Sequence, residues 1–159
     1  RVGAISEFEL KEKKDRIDDA IHAVKSALKE GVVIGGGLAL YKSTQVLEKL
    51  LNKEKNPEVR YGLQVVQKAC QEPARIILEN AGYAPDLVLH LITYNNPETS
   101  GFDALTGDYQ LDMFKAGIID PTKVVRVALE HSVSRAGLFI NTGASIGEID
   151  EESPDKDKK

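Results

Sequence analysis

Three consecutive glycines, Gly35–Gly37, are the first feature of this sequence that could serve chemistry. Glycine costs about 1 kcal/mol relative to alanine inside a helix, so helical stability does not explain the run. Such a turn lets two backbone segments pack closely, or it leaves room for a ligand against the main chain. The following Leu38 and Ala39 do not fit a phosphate-binding loop, and Leu40 stands where a dinucleotide fingerprint needs glycine. By pattern alone, close packing of a helix on a strand is favoured, and a bound ligand is the alternative.

The acidic residues that could act on a substrate each have an ordinary structural explanation. Asp18 and Asp19 fall in a polar helical stretch, where an acidic pair is usually a solvated face. Asp120 precedes Pro121 and fits the N-cap of a helix that starts there. Asp103 lies among turn residues, where aspartate is common. The acids therefore indicate no reaction by themselves.

Histidine and cysteine give no metal or redox site. The histidines, His22, His90 and His131, lie far apart and show no metal-ligand spacing, so no metal site is predicted from protein ligands. The single cysteine, Cys70, excludes an internal disulfide framework and falls on an apolar helical stripe. This pattern predicts a core position for Cys70 and a reducing compartment.

The bulk composition suits one domain, or one domain and part of another. The chain has 159 residues, of which 42% are apolar. A net charge of -4 argues against a general nucleic-acid binder, and no apolar run approaches the roughly 20 residues of a membrane span. The chain begins at Arg1 without a methionine or signal sequence, so we expect a piece of a longer protein that is not secreted. The charged stretch 149–159 is expected to be disordered.

A long, exposed helical arm is predicted at the start of the chain. Ser6 and Glu9 fit a capping box, and Gly31 fits a helix end. The first half of this helix is so polar that only a narrow stripe is expected to be buried. That stripe consists of Ile17, Ile21, Val24 and Leu28.

The remainder is predicted to be mostly helical, with a small hairpin around Thr106–Asp108. Five further helices are expected: after the glycines, from Pro57 to Cys70, from Pro73 to Ile77, from Pro85 to Tyr94 and from Pro121 to about Phe139.

Two long blocks carry a resemblance that goes further than these patterns. Residues 1–40, RVGAISEFELKEKKDRIDDAIHAVKSALKEGVVIGGGLAL, resemble the segment of group I chaperonin subunits that leaves the apical domain and re-enters the equatorial domain. Residues 101–137, GFDALTGDYQLDMFKAGIIDPTKVVRVALEHSVSRAG, resemble the stretch near the end of the equatorial domain. The similarity covers residues 2 to about 142, and the sequence is identified as a member of the sixty-kilodalton heat-shock chaperonin family.

The resemblance implies a mainly α fold, the helical bundle of the chaperonin equatorial domain with a small β-hairpin, preceded by a long intermediate-domain helix. Residues 1–30 would belong to the intermediate hinge domain. Residues 31–148 would form the C-terminal half of the equatorial domain, and 149–159 a disordered tail. The family's G-D-G-T-T phosphate-binding segment, its metal-binding aspartate and its apical domain lie outside this sequence. The isolated chain is therefore expected to be inactive.

The resemblance also implies a function for the parent protein. Members of the family bind ATP and Mg²⁺, form two rings of seven subunits and enclose unfolded client proteins under a co-chaperonin lid. The expected compartment is the bacterial cytoplasm, the mitochondrial matrix or a plastid, with no nucleic-acid or membrane partner. The magnesium ligands are expected mainly from the missing N-terminal half.

Site residues follow from the same resemblance. Asp19 matches the hinge carboxylate that moves onto the γ-phosphate and orients the attacking water, which is a catalytic role. Asp120 matches the acid that hydrogen-bonds the ribose, and it could still cap its helix. The other matched positions lie at the adenosine end of the nucleotide: Gly35, Gly36, Gly37, Asp103, Ala104, Leu105 and Ile118.

The sequence departs from the family at the adenine loop. Where the family usually has Tyr-Asn-Ala-Ala, this chain has Phe102, Asp103, Ala104 and Leu105, which removes an amide donor and adds bulk. Two other functions are alternatives: a stand-alone nucleotide-binding enzyme and a ligand-free helical scaffold. The absence of a phosphate-binding motif speaks against the enzyme. The matches at Asp19 and Asp120 speak against the scaffold.

Overall fold

The computed structural model describes residues 2–94 and 98–147, and the predicted disordered tail, 149–159, lies outside this range. The mainly α fold predicted from the sequence is confirmed. No helix in the described ranges is both long and apolar enough to cross a membrane. The elements, in chain order, are α1 (Glu7–Glu30), β1 (Val32–Ile34), α2 (Leu38–Lys53), α3 (Pro57–Asn80), α4 (Pro85–Tyr94), β2 (Gly101–Asp103), β3 (Asp108–Gln110), β4 (Ile119–Pro121) and α5 (Thr122–Ile140).

The strands form two small antiparallel pairs. β2 and β3 make the predicted hairpin, in which Phe102 lies opposite Tyr109 and Gly107 has a φ of 82° in the turn. β1 pairs with β4, which places Val33 opposite Asp120. This second pair was not predicted. It joins the residues before the glycines to the residues before α5.

The core lies where α2, α3 and α4 meet the two strand pairs. The three-residue connection 54–56 turns the chain so that α3 packs along α2. Met113, in the segment between β3 and β4, has no exposed surface. The buried residues of this core are Ile34, Leu38, Ala74, Leu78, Val88, Leu89, Ile92 and Met113.

Helix α3 continues through Pro73, so the predicted helix break at this residue is wrong. Proline inside a helix removes one main-chain hydrogen bond and costs about 3 kcal/mol. Cys70, Ala74 and Leu78 lie on both sides of Pro73 and are all buried. Their burial along one face requires a continuous helix, and this packing outweighs the local preference of proline.

Helix α1 begins and ends where the sequence predicted. The hydroxyl of Ser6 accepts a hydrogen bond from the Glu9 N–H at 3.2 Å, and Gly31 ends the helix with a φ of 80°. None of its described residues is buried, so the exposed arm is confirmed. The expected burial of its apolar stripe is wrong, because the described part of the chain covers these side chains only in part. The exposed fractions are 44% for Ile17, 45% for Ile21, 59% for Val24 and 83% for Leu28.

Candidate functional site

The three consecutive glycines have three different surroundings. A Cβ on Gly35 would lie 3.1 Å from the carbonyl carbon of Ile118, and the Gly35 N–H donates to the Ile118 carbonyl at 2.9 Å. A Cβ on Gly37 would lie 2.6 Å from the main-chain nitrogen of Ala74. Gly36 has a φ of 68°, and no atom lies within 4 Å of the place where its Cβ would be. Close packing therefore explains the two outer glycines, and Gly36 faces open space.

Gly36 borders a cavity of about 190 Å³. Pockets that enclose a drug-sized ligand have volumes of roughly 300–1,000 Å³, so this cavity has room for only a part of a ligand, such as a flat ring. Its walls come from α2, α3, α4, the hairpin and the segment before β4, and they are mostly apolar. The lining residues are Gly36, Leu38, Ile77, Leu78, Ile92, Phe102, Asp103, Ala104, Leu105 and Ile118.

The hairpin turn forms one side of this cavity. The side chain of Asp103 accepts a hydrogen bond from the Leu105 N–H at 2.9 Å, and its carbonyl accepts one from the Gly107 N–H at 2.8 Å. These bonds fix the turn. The ring of Phe102 meets the ring of Tyr83 edge to face, with centroids 4.9 Å apart. Leu105 is 94% exposed, so its bulk lies at the surface of the turn.

Asp120 lies in β4 and is half-buried. The prediction that it caps the last helix is wrong, because Pro121 holds the N-cap position of α5 and no side-chain capping bond forms. Burial raises the pKa of the Asp120 carboxyl. In residues 2–94 and 98–147 its carboxylate has no hydrogen-bond or ion-pair partner. It does not line the cavity, but it follows Ile118 by two residues, about 7 Å along an extended chain.

The C-terminal end of α1 is attached to β4 and α5. The Gly31 carbonyl accepts a hydrogen bond from the Thr122 N–H at 3.1 Å. The guanidinium of Arg126 donates to both carboxylate oxygens of Glu30, at 3.0 and 2.7 Å, and to Glu130 at 2.8 Å. The hydrogen bonds from Arg126 to Glu30 lower the pKa of the Glu30 carboxyl. A bidentate ion pair therefore fixes the last turn of α1 on α5.

Asp19 lies on the exposed surface of α1 and does not line the cavity. It precedes Glu30 by 11 residues, which corresponds to about 16 Å of helix. The structure thus brings together Gly36, the turn of the hairpin and Ile118, and it leaves Asp19 on a separate element. The position of Asp19 relative to the cavity depends on the direction that α1 takes from its attachment.

Comparison with known protein families places this sequence in one of them. The model of the TCP-1/cpn60 chaperonin family matches residues 1–147. The chain belongs to this family. The resemblance to chaperonin subunits that the two sequence blocks indicated is confirmed.

This chaperonin chain is 45% identical over 152 residues to the chaperonin GroEL of Orientia tsutsugamushi (strain Ikeda); the match covers 96% of the chain and 27% of that protein. The chain therefore spans about a quarter of the length of this relative. A group III chaperonin in the open state superposes with a TM-score of 0.80 at 27% identity, covering 91% of this chain and 30% of that one. The open-state monomer of a group II chaperonin from Methanococcoides burtonii gives a TM-score of 0.70 at 20% identity, with coverages of 86% and 35%, and this match supports the fold alone.

Several cavity residues of the chaperonin chain were not predicted as site residues. Their apolar spacing indicates burial in a helix or strand, but spacing cannot say which buried residues border an open space. Only the contact between distant segments determines that. These residues are Leu38, Ile77, Leu78, Ile92 and Phe102.

Within the described residues, neither Cys70 nor a cluster of metal-ligating side chains indicates a second site. Cys70 is 3% exposed, as predicted, and burial raises the pKa of its thiol, which disfavours the reactive thiolate. In the described ranges, no group of three or more His, Cys, Asp or Glu side chains is placed so that it could hold a metal ion.

Proposed function

We propose that this chain supplies the adenosine side of an ATP site in a chaperonin subunit. One observation carries the proposal: Gly36, the 103–105 turn and Ile118 lie far apart in sequence and line the same cavity. These are positions at which the sequence resembles the adenosine-binding residues of the family. The cavity has room for a base, and the rest of the nucleotide would extend out of it.

The residues present fit the base and the ribose. The apolar walls suit the two faces of a flat ring, and a side chain at Gly36 would fill space that the ligand needs. Ala104 and Leu105 would contact the base from the hairpin. The Asp120 carboxylate is partly desolvated and can accept hydrogen bonds from ribose hydroxyl groups. Gly35 and Gly37 would act indirectly, because their close contacts hold the main chain of the turn.

We propose that Asp19 acts in hydrolysis. Bound ATP with magnesium would supply the phosphoryl group, and the magnesium ligands are proposed to lie mainly outside this chain. A carboxylate can accept a hydrogen bond from water and orient it, and such positioning is a large part of catalysis in phosphoryl transfer. Asp19 is exposed on an arm that is attached at its far end, so a change in the direction of α1 would move it. Hydrolysis would then start only after the movement of α1 had brought Asp19 to the bound nucleotide.

For the whole protein we propose an ATP-driven folding machine. Its subunits would assemble into two seven-membered rings and enclose unfolded client proteins with a co-chaperonin lid, in the bacterial cytoplasm or in a mitochondrion or plastid. The relative named chaperonin GroEL supports this proposal over a stand-alone enzyme or a ligand-free scaffold.

The cavity can be tested with a pair of glycine variants in the full-length protein. Gly36 and Gly82 both have positive φ and open space around the missing Cβ, but only Gly36 borders the cavity. Gly36→Ala and Gly82→Ala therefore carry a similar backbone penalty. We expect Gly36→Ala to weaken ATP binding by about tenfold in titration calorimetry, and Gly82→Ala to bind like the wild type. Equal affinity of the two variants would show that the cavity is not the nucleotide site.

A further inference from the structure

One lysine joins two of the segments that form the cavity. Lys42 lies in the second turn of α2, the helix that starts directly after the glycines. Its ammonium donates to the carbonyl oxygens of Glu98 at 2.7 Å and of Ser100 at 2.6 Å, and it lies 3.5 Å from the Ser100 hydroxyl. Ser100 has no exposed surface and immediately precedes β2. Lys42 thus holds the strand that leads to the 103–105 turn.

We propose that Lys42 is a positioning residue for the nucleotide site. It sets the distance between the glycine turn and the hairpin turn, and so the width of the cavity for the base. The role rests on the proposed function, since it assumes that the cavity receives the base of ATP. Lys42 itself is not among the residues that line the cavity.

The hairpin depends on such an anchor. Each of its strands has three residues, and an isolated two-stranded hairpin is marginal in water. A hydrogen bond from the Met113 N–H to the Thr99 carbonyl at 2.9 Å joins the two segments that flank the hairpin to each other, and not to α2. Hydrogen bonds from an ammonium are stronger than neutral ones, and three donors on one atom can hold several oxygens together.

The partial burial of Lys42 makes its hydrogen bonds to the carbonyl oxygens of Glu98 and Ser100 necessary. The amine is half-buried, and desolvation lowers its pKa. Burying a cation is unfavourable unless hydrogen bonds offset the loss of water.

Lys42 and Lys49, one heptad apart on α2, both border a surface groove that Gln45 and Val46 also line. Lys49 is exposed and has no hydrogen bond or ion pair in the described part of the chain. Lys49 therefore provides a matched control.

The experiment compares Lys42→Met, Lys42→Arg and Lys49→Met in the full-length protein. Steady-state hydrolysis gives KM and kcat for ATP, and titration with tripolyphosphate measures binding that does not involve the base. For Lys42→Met we expect KM to rise by about tenfold with kcat and tripolyphosphate affinity within about twofold of wild type. Lys42→Arg should recover most of the affinity, since its guanidinium can donate to two carbonyl oxygens. Lys49→Met should match the wild type.

The outcomes separate the positioning role from the proposed function. A wild type that binds tripolyphosphate as tightly as ATP would overturn the adenosine site and the positioning role together. If the wild type prefers ATP but Lys42→Met changes KM no more than Lys49→Met, only the role of Lys42 is wrong. If Lys42→Met also lost kcat and tripolyphosphate affinity, Lys42 would stabilise the whole fold and would have no specific role in positioning the base. Should Lys42→Met not fold, Lys42→Gln, which keeps a shorter donor, is judged by the same comparison.

Discussion

The helical body and the α1 arm place their candidate residues in opposite ways. In the body, the glycine turn, the hairpin and Ile118 are held around a buried core that includes Leu38, Leu78 and Ile92. In the arm no described residue is buried, and Asp19 lies about 16 Å from the ion pair that fixes the end of the helix. The proposed binding residues therefore lie around a packed core, and the proposed catalytic residue lies on an exposed helix.

This difference would suit the two steps of the proposed ATPase cycle, nucleotide binding and hydrolysis. A base needs a cavity of constant shape, and close packing provides one. A carboxylate that acts only after binding needs an element that can change direction without disturbing the core. Among the described elements, α1 makes its main contacts with β4 and α5. A bend of α1 on the N-terminal side of Glu30 would therefore move Asp19 and leave both the ion pair and the cavity intact.

The largest expected effect is on stability, in the variant Gly37→Ala, because the new side chain would disrupt the close packing of the glycine turn on α3. The new Cβ would lie 2.6 Å from the Ala74 nitrogen, on a residue with a φ of 73°. We expect a loss of about 3 kcal/mol in the free energy of unfolding, measured by urea denaturation. Gly82→Ala, with a φ of 82° and open surroundings, should lose only about 1 kcal/mol. Equal losses would mean that close packing at Gly37 does not matter.

The second effect concerns the arm and would be measured in the full-length protein. Asp19→Ala should slow single-turnover ATP hydrolysis by about a hundredfold, because one water-positioning group is lost. ATP affinity should stay near the wild-type value, since Asp19 does not line the cavity. Asp18→Ala is the neighbouring control and should hydrolyse normally. Loss of binding together with hydrolysis in Asp19→Ala would contradict the separation of arm and body.

Local signals in the sequence predicted much of this fold. Ser6 and Gly31 act on the two ends of α1, and Pro57 acts on the start of α3, so their effects do not depend on distant residues. The predicted helix break at Pro73 was wrong because α3 is held together by tertiary packing, including the burial of Ala74, which the local sequence does not specify. The β1–β4 pair was missed for a related reason: nothing in either three-residue segment specifies the other.

The candidate site residues were taken from the family resemblance, because residue patterns alone did not select them. Composition alone could not separate a glycine that permits packing from one that leaves room for a ligand. In the structure a Cβ at Gly35 or Gly37 would meet nearby main-chain atoms, and a Cβ at Gly36 would meet open space. The contribution of Lys42 depends on a contact with Ser100 across the fold, and no motif marks it.

A smaller effect is expected at the hairpin, where the sequence departs from the family. Asp103→Asn keeps an oxygen that can accept the bond from the Leu105 N–H, so the turn should persist, and it adds an amide donor beside the cavity. We expect ATP to bind about threefold more tightly in titration calorimetry. Asp108→Asn removes the same charge from the opposite strand, outside the cavity. A similar gain in Asp108→Asn would attribute the effect to charge alone.

The smallest effect is expected at the attachment of the arm. Arg126→Met removes the bidentate ion pair with Glu30, and Arg135→Met changes an exposed arginine of the same helix that has no ion pair in the described chain. Hydrogen exchange of residues 24–31 should become about threefold faster in Arg126→Met and stay unchanged in Arg135→Met. The modest size follows from the exposure of the pair.

The faster hydrogen exchange expected in Arg126→Met should depend on pH if loss of the ion pair with Glu30 causes it. The bonds from Arg126 lower the pKa of Glu30 below its ordinary value of 4.5. The pair therefore contributes fully above pH 4.5, and its contribution is lost as the pH falls through the lowered value. The ratio of exchange rates between Arg126→Met and wild type, in which the intrinsic pH dependence cancels, should fall towards one in that acidic window. A ratio that stays constant would mean that the aliphatic part of Arg126, and not its charge, holds the arm on the body.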